Sequence, residues 1–186
     1  SEVESRHAKK FLRKVLEGQY TLKERMAIEC VIRQKGEKEK IRFAINDFVV
    51  SKCSARLLRL KACINGEYFH EFPGDGLILS TSTGSTAYSL SAGGPIVSPR
   101  LDVILLTPIC PHTLFARSIV AAGNDEISVK VPANRSDVIL TIDGQIELPL
   151  NGGDEVAVRR ARYKVKFVRV QNRRFYGKVR DKFKLT

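Results

Sequence analysis

The 186-residue sequence has no apolar run that approaches the length needed to span a bilayer. Its N-terminus shows no signal-peptide pattern, and its four cysteines include no Cys-x-x-Cys pair. The three histidines are not spaced as metal ligands, which argues against a zinc site. These absences favour a globular cytoplasmic protein with reduced thiols. Because the chain starts at Ser1 rather than methionine, we expect its true beginning to be missing.

Positive charge is concentrated at one end of the chain. Residues 159–186 contain twelve Lys and Arg side chains and one acid, whereas the preceding residues contain twenty basic and nineteen acidic side chains. A basic segment of this kind is able to contact nucleic acid or polyphosphate. Aromatic residues are sparse within it, so a solvated strand face and helix is the favoured interpretation and a nucleic-acid partner is not expected.

Hydrophobic periodicity predicts a mainly β protein with a helix at each end. Amphipathic helices are predicted over residues 7–18 and 175–185. Nine or ten short strands separated by turn signals favour a β-sandwich-like fold or a folded-over sheet rather than βαβ units. The predicted strand segments are 26–32, 41–50, 58–64, 68–72, 77–79, 103–107, 127–131, 138–142 and 156–170, the last of them broken near Ala161.

Turn residues indicate how some of these strands are joined. The charged stretch 35–40 predicts a hairpin between the strands 26–32 and 41–50. The dipeptide Asn65-Gly66 is typical of a tight hairpin, and Asp143-Gly144 is another turn signal. Gly152-Gly153-Asp154 lies between two strand patterns and is also predicted to be a hairpin turn.

The most informative segment is 80–95, in which nine of sixteen residues carry hydroxyl groups. A hydrophobic core gains little from such a run, because each buried hydroxyl must be paired. The run follows a short apolar strand, and a strand, a small-residue loop and a helix start together present free backbone N–H groups to an anionic or polyhydroxyl ligand. A Ser/Thr-rich linker is the alternative, but strands flank the run closely on both sides.

Residues 74–95 strongly resemble the second signature of the NAD kinases. Residues 44–47 resemble the Asn-Glu/Asp motif of that family, at the expected distance upstream. Residues 107–112 and 142–145 also match family patterns, so the resemblance extends over nearly the whole chain.

The resemblance implies a domain organisation. The family joins a Rossmann-like domain, which carries a Gly-Gly-Asp-Gly-Thr loop for ATP and catalysis, to a β-rich NAD-binding domain. This chain resembles the second domain, with a linking helical segment at 1–20, the β-rich domain at 21–170 and a C-terminal helical segment at 171–186. The Gly-Gly-Asp-Gly-Thr loop is absent from the sequence. The terminal helices are therefore expected to pack on a missing first domain, which would also supply the catalytic base.

The resemblance also implies which residues contact NAD. They are Asn46, Asp47, Asp75, Thr86, Ala87, Tyr88, Ser89, Leu90, Ser91 and Gln145. The chemistry is suitable, because an amide beside a carboxylate offers donors and acceptors to vicinal ribose hydroxyls, and a tyrosine ring stacks on a heterocycle. Each position also has a structural interpretation: a bulge for Asn46-Asp47, a turn for Asp75, and a plain hairpin for Gln145.

The implied activity is transfer of the γ-phosphoryl group of ATP to the 2′-hydroxyl of the adenosine ribose of NAD. ATP with Mg²⁺ or another divalent cation, NAD as substrate, and a homodimer or homotetramer would follow from family membership, with polyphosphate as a second donor. Two other functions stay open at this point. One is a related diacylglycerol or lipid kinase domain, and the other is a nucleic-acid-binding module that uses the basic C-terminal segment.

Overall fold

A computed structural model describes residues 7–114, 116–170 and 175–184. The chain divides into two compact units, one formed by residues 26–164 and the other by the described parts of 1–25 and 165–186. No helix in these described ranges is long and apolar enough to cross a membrane.

The described residues form twelve strands and three α-helices, so the prediction of a mainly β protein with a helix near each end is confirmed. The strands are β1 (Thr21–Arg33), β2 (Lys40–Ala44), β3 (Asp47–Lys52), β4 (Leu58–Ile64), β5 (Glu67–Gly74), β6 (Gly76–Thr81), β7 (Val103–Ile109), β8 (Ile119–Ala122), β9 (Ile127–Lys130), β10 (Val138–Ile142), β11 (Ile146–Leu150) and β12 (Glu155–Arg169). The helices are α1 (Ala8–Leu16), α2 (Tyr88–Ser91) and α3 (Phe175–Phe183).

The strands form two six-stranded sheets. The first sheet has the order β2-β1-β12-β9-β4-β5, and the second has the order β11-β10-β3-β6-β7-β8. Alternate residues of both sheets meet in one hydrophobic core, which includes Ile28 and Cys30 of β1 and Leu77 and Leu79 of β6. Burial raises the pKa of the Cys30 thiol to about 12, so this side chain packs as a protonated apolar group.

Several hairpins agree with the sequence-based predictions. β1 and β2 pair antiparallel, with Val31 opposite Ile41. Asn65-Gly66 joins β4 to β5, and Asp143-Gly144 together with Gln145 joins β10 to β11. Both dipeptides have positive φ at both residues, which is the geometry of a tight type I′ turn.

Three predictions about strands and turns are wrong. Residues 41–50 are not one strand, because the chain leaves the first sheet after β2 and enters the second sheet at Asp47. β12 continues from Glu155 to Arg169 without a break at Ala161. The turn at Gly152-Gly153-Asp154 is not a hairpin, since it connects β11 of the second sheet to β12 of the first. Strands β8 and β11 were not predicted.

The two terminal helices are shorter than predicted. α1 has no buried residue, and Leu12 and Leu16 on its apolar stripe are exposed. Leu185, the predicted end of the last helix, lies outside the described residues. Packing of these helices on another domain stays a prediction.

Candidate functional site

A pocket of about 460 Å³ lies on the outer face of the second sheet, where β3, the β10–β11 hairpin and the start of α2 come together. This face is distinct from the main core, since Val49 and Ile78 belong to a separate small apolar cluster. The pocket is lined by Asn46, Asp47, Val49, Ser51, Ala87, Tyr88, Ile139, Thr141, Asp143, Gly144 and Glu147. It therefore unites the Asn46-Asp47 motif, the middle of the hydroxyl-rich loop (residues 80–95) and the Asp143-Gly144 turn.

The Asn46 corner, which we define as residues Ile45 to Asp47, is held on one side by a single carboxylate. Oδ1 of Asp143 accepts the backbone N–H of Asn46 at 2.7 Å and that of Asp47 at 3.0 Å. Oδ2 of Asp143 accepts the N–H of Ile45 at 2.9 Å. The backbone N–H of Asp143 in turn donates to the carbonyl of Asp47 at 3.0 Å. The hairpin turn is thus joined to the corner by four hydrogen bonds.

The hydroxyl-rich loop holds the other side of the Asn46 corner. The backbone N–H of Thr81 donates to the carbonyl of Asn46 at 2.9 Å, and Oγ1 of Thr81 donates to the carbonyl of Ile45 at 2.7 Å. Gly84 lies so close to the corner that a Cβ atom there would be 2.2 Å from the carbonyl oxygen of Asn46. Only glycine permits this approach of two backbones.

Several hydroxyls of the loop have structural roles. Oγ of Ser85, which is fully buried, donates to the carbonyl of Ser82 at 2.8 Å and accepts the N–H of Val97 at 3.1 Å. Oγ of Ser89, also fully buried, lies 3.1 Å from Oγ1 of Thr107. The density of Ser and Thr in this segment therefore serves the construction of the loop as well as any ligand.

Asp47 is the most perturbed acid of the pocket. The residue is only 4% exposed, and burial, followed by the negative charge of Asp143, raises its pKa to about 6. Its carboxylate forms no hydrogen bond or ion pair with any other described residue. A ligand hydroxyl can therefore use both oxygens of Asp47 without displacing a protein partner.

The charge of the pocket restricts what it accepts. Three carboxylates, those of Asp47, Asp143 and Glu147, line it together with Asn46, and no lysine or arginine is among the lining residues. Carboxylates accept hydrogen bonds from hydroxyl and amine groups and repel phosphate oxygens. The pocket thus suits the hydroxyl-bearing and uncharged parts of a nucleotide rather than its phosphates.

Four of the ten predicted ligand residues line this pocket. They are Asn46, Asp47, Ala87 and Tyr88, and Tyr88 is 47% exposed. Of the neighbouring predicted residues, Thr86, Leu90 and Ser91 belong to the same loop and helix without lining the pocket. Ser89 points into the fold and bonds to Thr107, so its side chain positions α2.

Asp75 and Gln145 lie outside the pocket. Ser51 is opposite Gly76 and Asp47 is opposite Ser80, so Asp75 lies beyond the far end of β6 from the Asn46 corner, about 17 Å along the chain from Ser80. There Lys52 donates to Oδ1 of Asp75 at 2.8 Å, and this hydrogen bond holds the pKa of Asp75 below its usual range. The side chain of Gln145 is exposed in the hairpin turn next to Gly144. Ligand contact by either residue stays a prediction.

Sequence reasoning placed Asp143 in a hairpin turn beside the ligand surface and gave it no role of its own. Its partnership with residues 45–47 spans almost one hundred positions, so only the sheet register reveals it. The separation of Thr81 from the Asn46 corner in the sequence likewise gives no indication that Thr81 binds the carbonyls of Ile45 and Asn46. One signal in the sequence indicated that these segments act together. Residues 44–47 and residues 142–145 both match patterns of the same family, in the same order.

Part of the basic C-terminal charge is paired within the fold. Nε of Arg159 lies 2.8 Å from Oε1 of Glu29, and Nζ of Lys164 lies 3.0 Å from Oδ2 of Asp102. A second cavity of about 540 Å³ lies within the smaller unit beside Tyr20 and Lys23, and it contains none of the predicted ligand residues.

Comparison with known proteins identifies the family. Residues 46–170 match the ATP-NAD kinase C-terminal domain. The chain belongs to the NAD kinase family. It is 49% identical over 174 residues to the NAD kinase of Moorella thermoacetica, covering 93% of this chain and 56% of that protein. It is 43% identical over 185 residues to the NAD kinase of Aquifex aeolicus, covering 99% and 68%.

Solved NAD kinase structures share the fold. Yeast NADH kinase in complex with NADH superposes with a TM-score of 0.90 at 31% identity, covering 100% of this chain and 55% of that one. An NAD kinase from Archaeoglobus fulgidus in complex with ATP superposes with a TM-score of 0.74 at 25% identity, covering 92% and 65%. The chain spans about 56–64% of the length of the first NAD kinase relatives that it matches.

Proposed function

We propose that this chain is the NAD-binding part of an enzyme that phosphorylates the 2′-hydroxyl of the adenosine ribose of NAD with ATP, giving NADP. The observation that carries this proposal is the pocket in which Asn46 and Asp47 meet α2, in a chain of which 93% aligns with an NAD kinase. Binding of NADH and ATP by the two solved relatives is consistent with these substrates.

The chain's contribution is to bind and orient the dinucleotide. Phosphoryl transfer depends mainly on positioning and on stabilisation of spreading negative charge. Asn46 and Asp47 would hold ribose hydroxyls, and Tyr88 would stack on a heterocycle. The acidic lining leaves the phosphates of NAD and ATP to groups outside this pocket. We propose that the catalytic base and the ATP-binding Gly-Gly-Asp-Gly-Thr loop belong to a domain beyond this chain.

Among the described residues, no three His, Cys, Asp or Glu side chains are grouped so that they could hold a metal ion. We assign no step of this chain's chemistry to Mg²⁺ or another divalent cation.

The environment of the whole enzyme is also part of the proposal. We propose a cytoplasmic homodimer or homotetramer in which α1 and α3 pack on the additional domain. The exposed Leu12 and Leu16 of α1 support such packing, because an apolar stripe without cover is costly in water. Light scattering on the full-length protein measures the assembly, and a monomer would contradict it.

Activity is tested by comparing the 186-residue chain with the full-length protein. We expect the chain alone to bind NAD weakly in calorimetry and to form no measurable NADP. The full-length protein should form NADP from NAD and ATP, detected with an NADP-specific dehydrogenase. A random oligonucleotide is the control ligand, and its binding should be weak and lost with added salt. Failure of the full-length protein to form NADP would overturn the proposal.

A further inference from the structure

We propose that Asp143 is a positioning residue that sets the ligand-binding geometry of Asn46 and Asp47 by holding the backbone of the Asn46 corner. This inference rests on the proposed function, because it concerns the ribose-binding end of the same pocket. It goes beyond that function because it assigns the alignment of Asn46 and Asp47 to the charge of Asp143, which lies in the β10–β11 hairpin.

The first step of the argument is the direction of three backbone N–H groups. In a β-strand successive N–H groups point to opposite edges, so three in a row cannot meet one acceptor. Here the N–H groups of Ile45, Asn46 and Asp47 converge on the two oxygens of Asp143 at 2.7–3.0 Å. Convergent N–H groups favour an anion, and the carboxylate therefore stabilises the break between β2 and β3.

The second step is that the backbone of the corner is fixed from two sides. Asp143 binds the N–H groups, while Thr81 binds the carbonyls of Ile45 and Asn46 at 2.7 and 2.9 Å. With its backbone held in this way, the corner presents the side chains of Asn46 and Asp47 to the pocket. A small backbone rotation would misalign both, since their functional atoms lie only two or three bonds from the main chain.

The third step separates this role from that of an ordinary hairpin residue. The Asp143-Gly144 turn has positive φ at both positions, +48° and +67°, and Asn-Gly serves such a turn as well as Asp-Gly does. The turn therefore does not require a negative charge. The three N–H groups do require it, because an asparagine at this position would place its NH₂ group against at least one N–H donor.

The substitution Asp143→Asn tests the inference on the full-length protein. Asp154→Asn is the matched control, because Asp154 is also a turn aspartate whose carboxylate accepts hydrogen bonds within the fold. It is buried, and its Oδ2 accepts the N–H of Asn151 at 2.8 Å and the side-chain amide of Gln34 at 2.9 Å. We expect Asp143→Asn to weaken NAD binding at least about tenfold in calorimetry, and Asp154→Asn to change it less than about twofold. The KM for ATP should stay within about twofold in both variants.

Amide hydrogen exchange supplies the readout that a general loss of stability would not imitate. Asp143→Asn should speed exchange at residues 45–47 more than elsewhere in β2 and β3, while Asp154→Asn should not. Unchanged NAD affinity in Asp143→Asn would overturn the inference. Rapid hydrogen exchange at the amides of residues 45–47 in the wild-type protein would also overturn it. This second measurement tests the inference even if Asp143→Asn does not fold.

The outcomes distinguish this inference from the proposed function. If the wild-type protein has no affinity for NAD, the proposed function fails, and the exchange rates at residues 45–47 still test the anchoring by Asp143. If the wild-type protein binds NAD and Asp143→Asn binds it equally well, the function stands and the positioning role fails. Thr81→Val, which removes the hydroxyl on the other side of the corner, should also weaken NAD binding, and equal binding would count against the corner as a positioned unit.

Discussion

We expect Asp47→Asn to raise the free energy of unfolding at about pH 8 and to change it little at about pH 4. Burial and the nearby charge of Asp143 raise the pKa of Asp47 to about 6 from its ordinary value of 3.8. Because the folded-state pKa is the higher one, the favourable contribution of the protonated carboxyl is complete below the ordinary pKa. It is lost as the pH rises through 6.

The size of the effect follows from the shift. A difference of about 2 pKa units at about 1.4 kcal/mol each gives a cost of about 3 kcal/mol for holding ionised Asp47 in the folded protein near pH 8. Asparagine has nearly the same shape and no charge, so it removes that cost. The expected increase in the melting temperature at pH 8 is roughly 6–12 °C for a chain of this size.

Urea denaturation across this pH range measures the prediction. The control is Glu147→Gln, which removes an exposed carboxylate of the same pocket and should change the unfolding free energy by less than about 0.5 kcal/mol. The reasoning is refuted if Asp47→Asn and the wild-type protein have parallel pH profiles. It is also refuted if the variant is the less stable protein at pH 8.

The same substitution should weaken NAD binding, because the carboxylate that is costly to bury is the group proposed to accept ribose hydroxyls. The buried charge of Asp47 would then lower the stability of the folded protein and at the same time strengthen ligand binding. Binding sites that hold charge away from water commonly have this property. Asp143→Asn provides a cross-check, since removing its charge should lower the pKa of Asp47 towards the ordinary value. Carboxyl NMR titration measures this shift.

Two further substitutions test how the loop is built. Gly84→Ala should lower the unfolding free energy by about 1–3 kcal/mol in urea denaturation, because the new Cβ would overlap the carbonyl of Asn46. Gly177→Ala is the control. It changes an open position in α3 and should be neutral or slightly stabilising. Ser89→Ala should cost about 1–2 kcal/mol in the same assay by leaving the buried hydroxyl of Thr107 unpaired, and unchanged stability would contradict a structural role for Ser89.

The fold class could be predicted because β-periodicity and turn dipeptides are local signals. The Asn65-Gly66 and Asp143-Gly144 turns each specify a hairpin from two residues, and both hairpins form. The change of sheet at Asn46 could not be predicted in the same way. Residues 41–50 form a continuous strand pattern, and the break within it depends on acceptors supplied by Asp143 from almost one hundred positions away.

The difference between local signals and long-range contacts also explains which site residues could be predicted. The Asn46-Asp47 motif and residues 86–91 were predicted to be ligand residues because they match motifs of the NAD kinase family, and their types suit the chemistry of a sugar and a base. Asp143 has the same residue type but is also a normal member of a type I′ turn, so composition cannot separate the two roles. What separates them is register: β10 pairs with β3 so that Ile142 lies opposite Phe48, which brings the turn against the corner. Two turns that look equivalent in sequence, at Asp143 and at Asp154, therefore differ in what their carboxylates hold. Exchanging each for asparagine distinguishes a carboxylate that organises a binding corner from one that holds a turn and the side chain of Gln34.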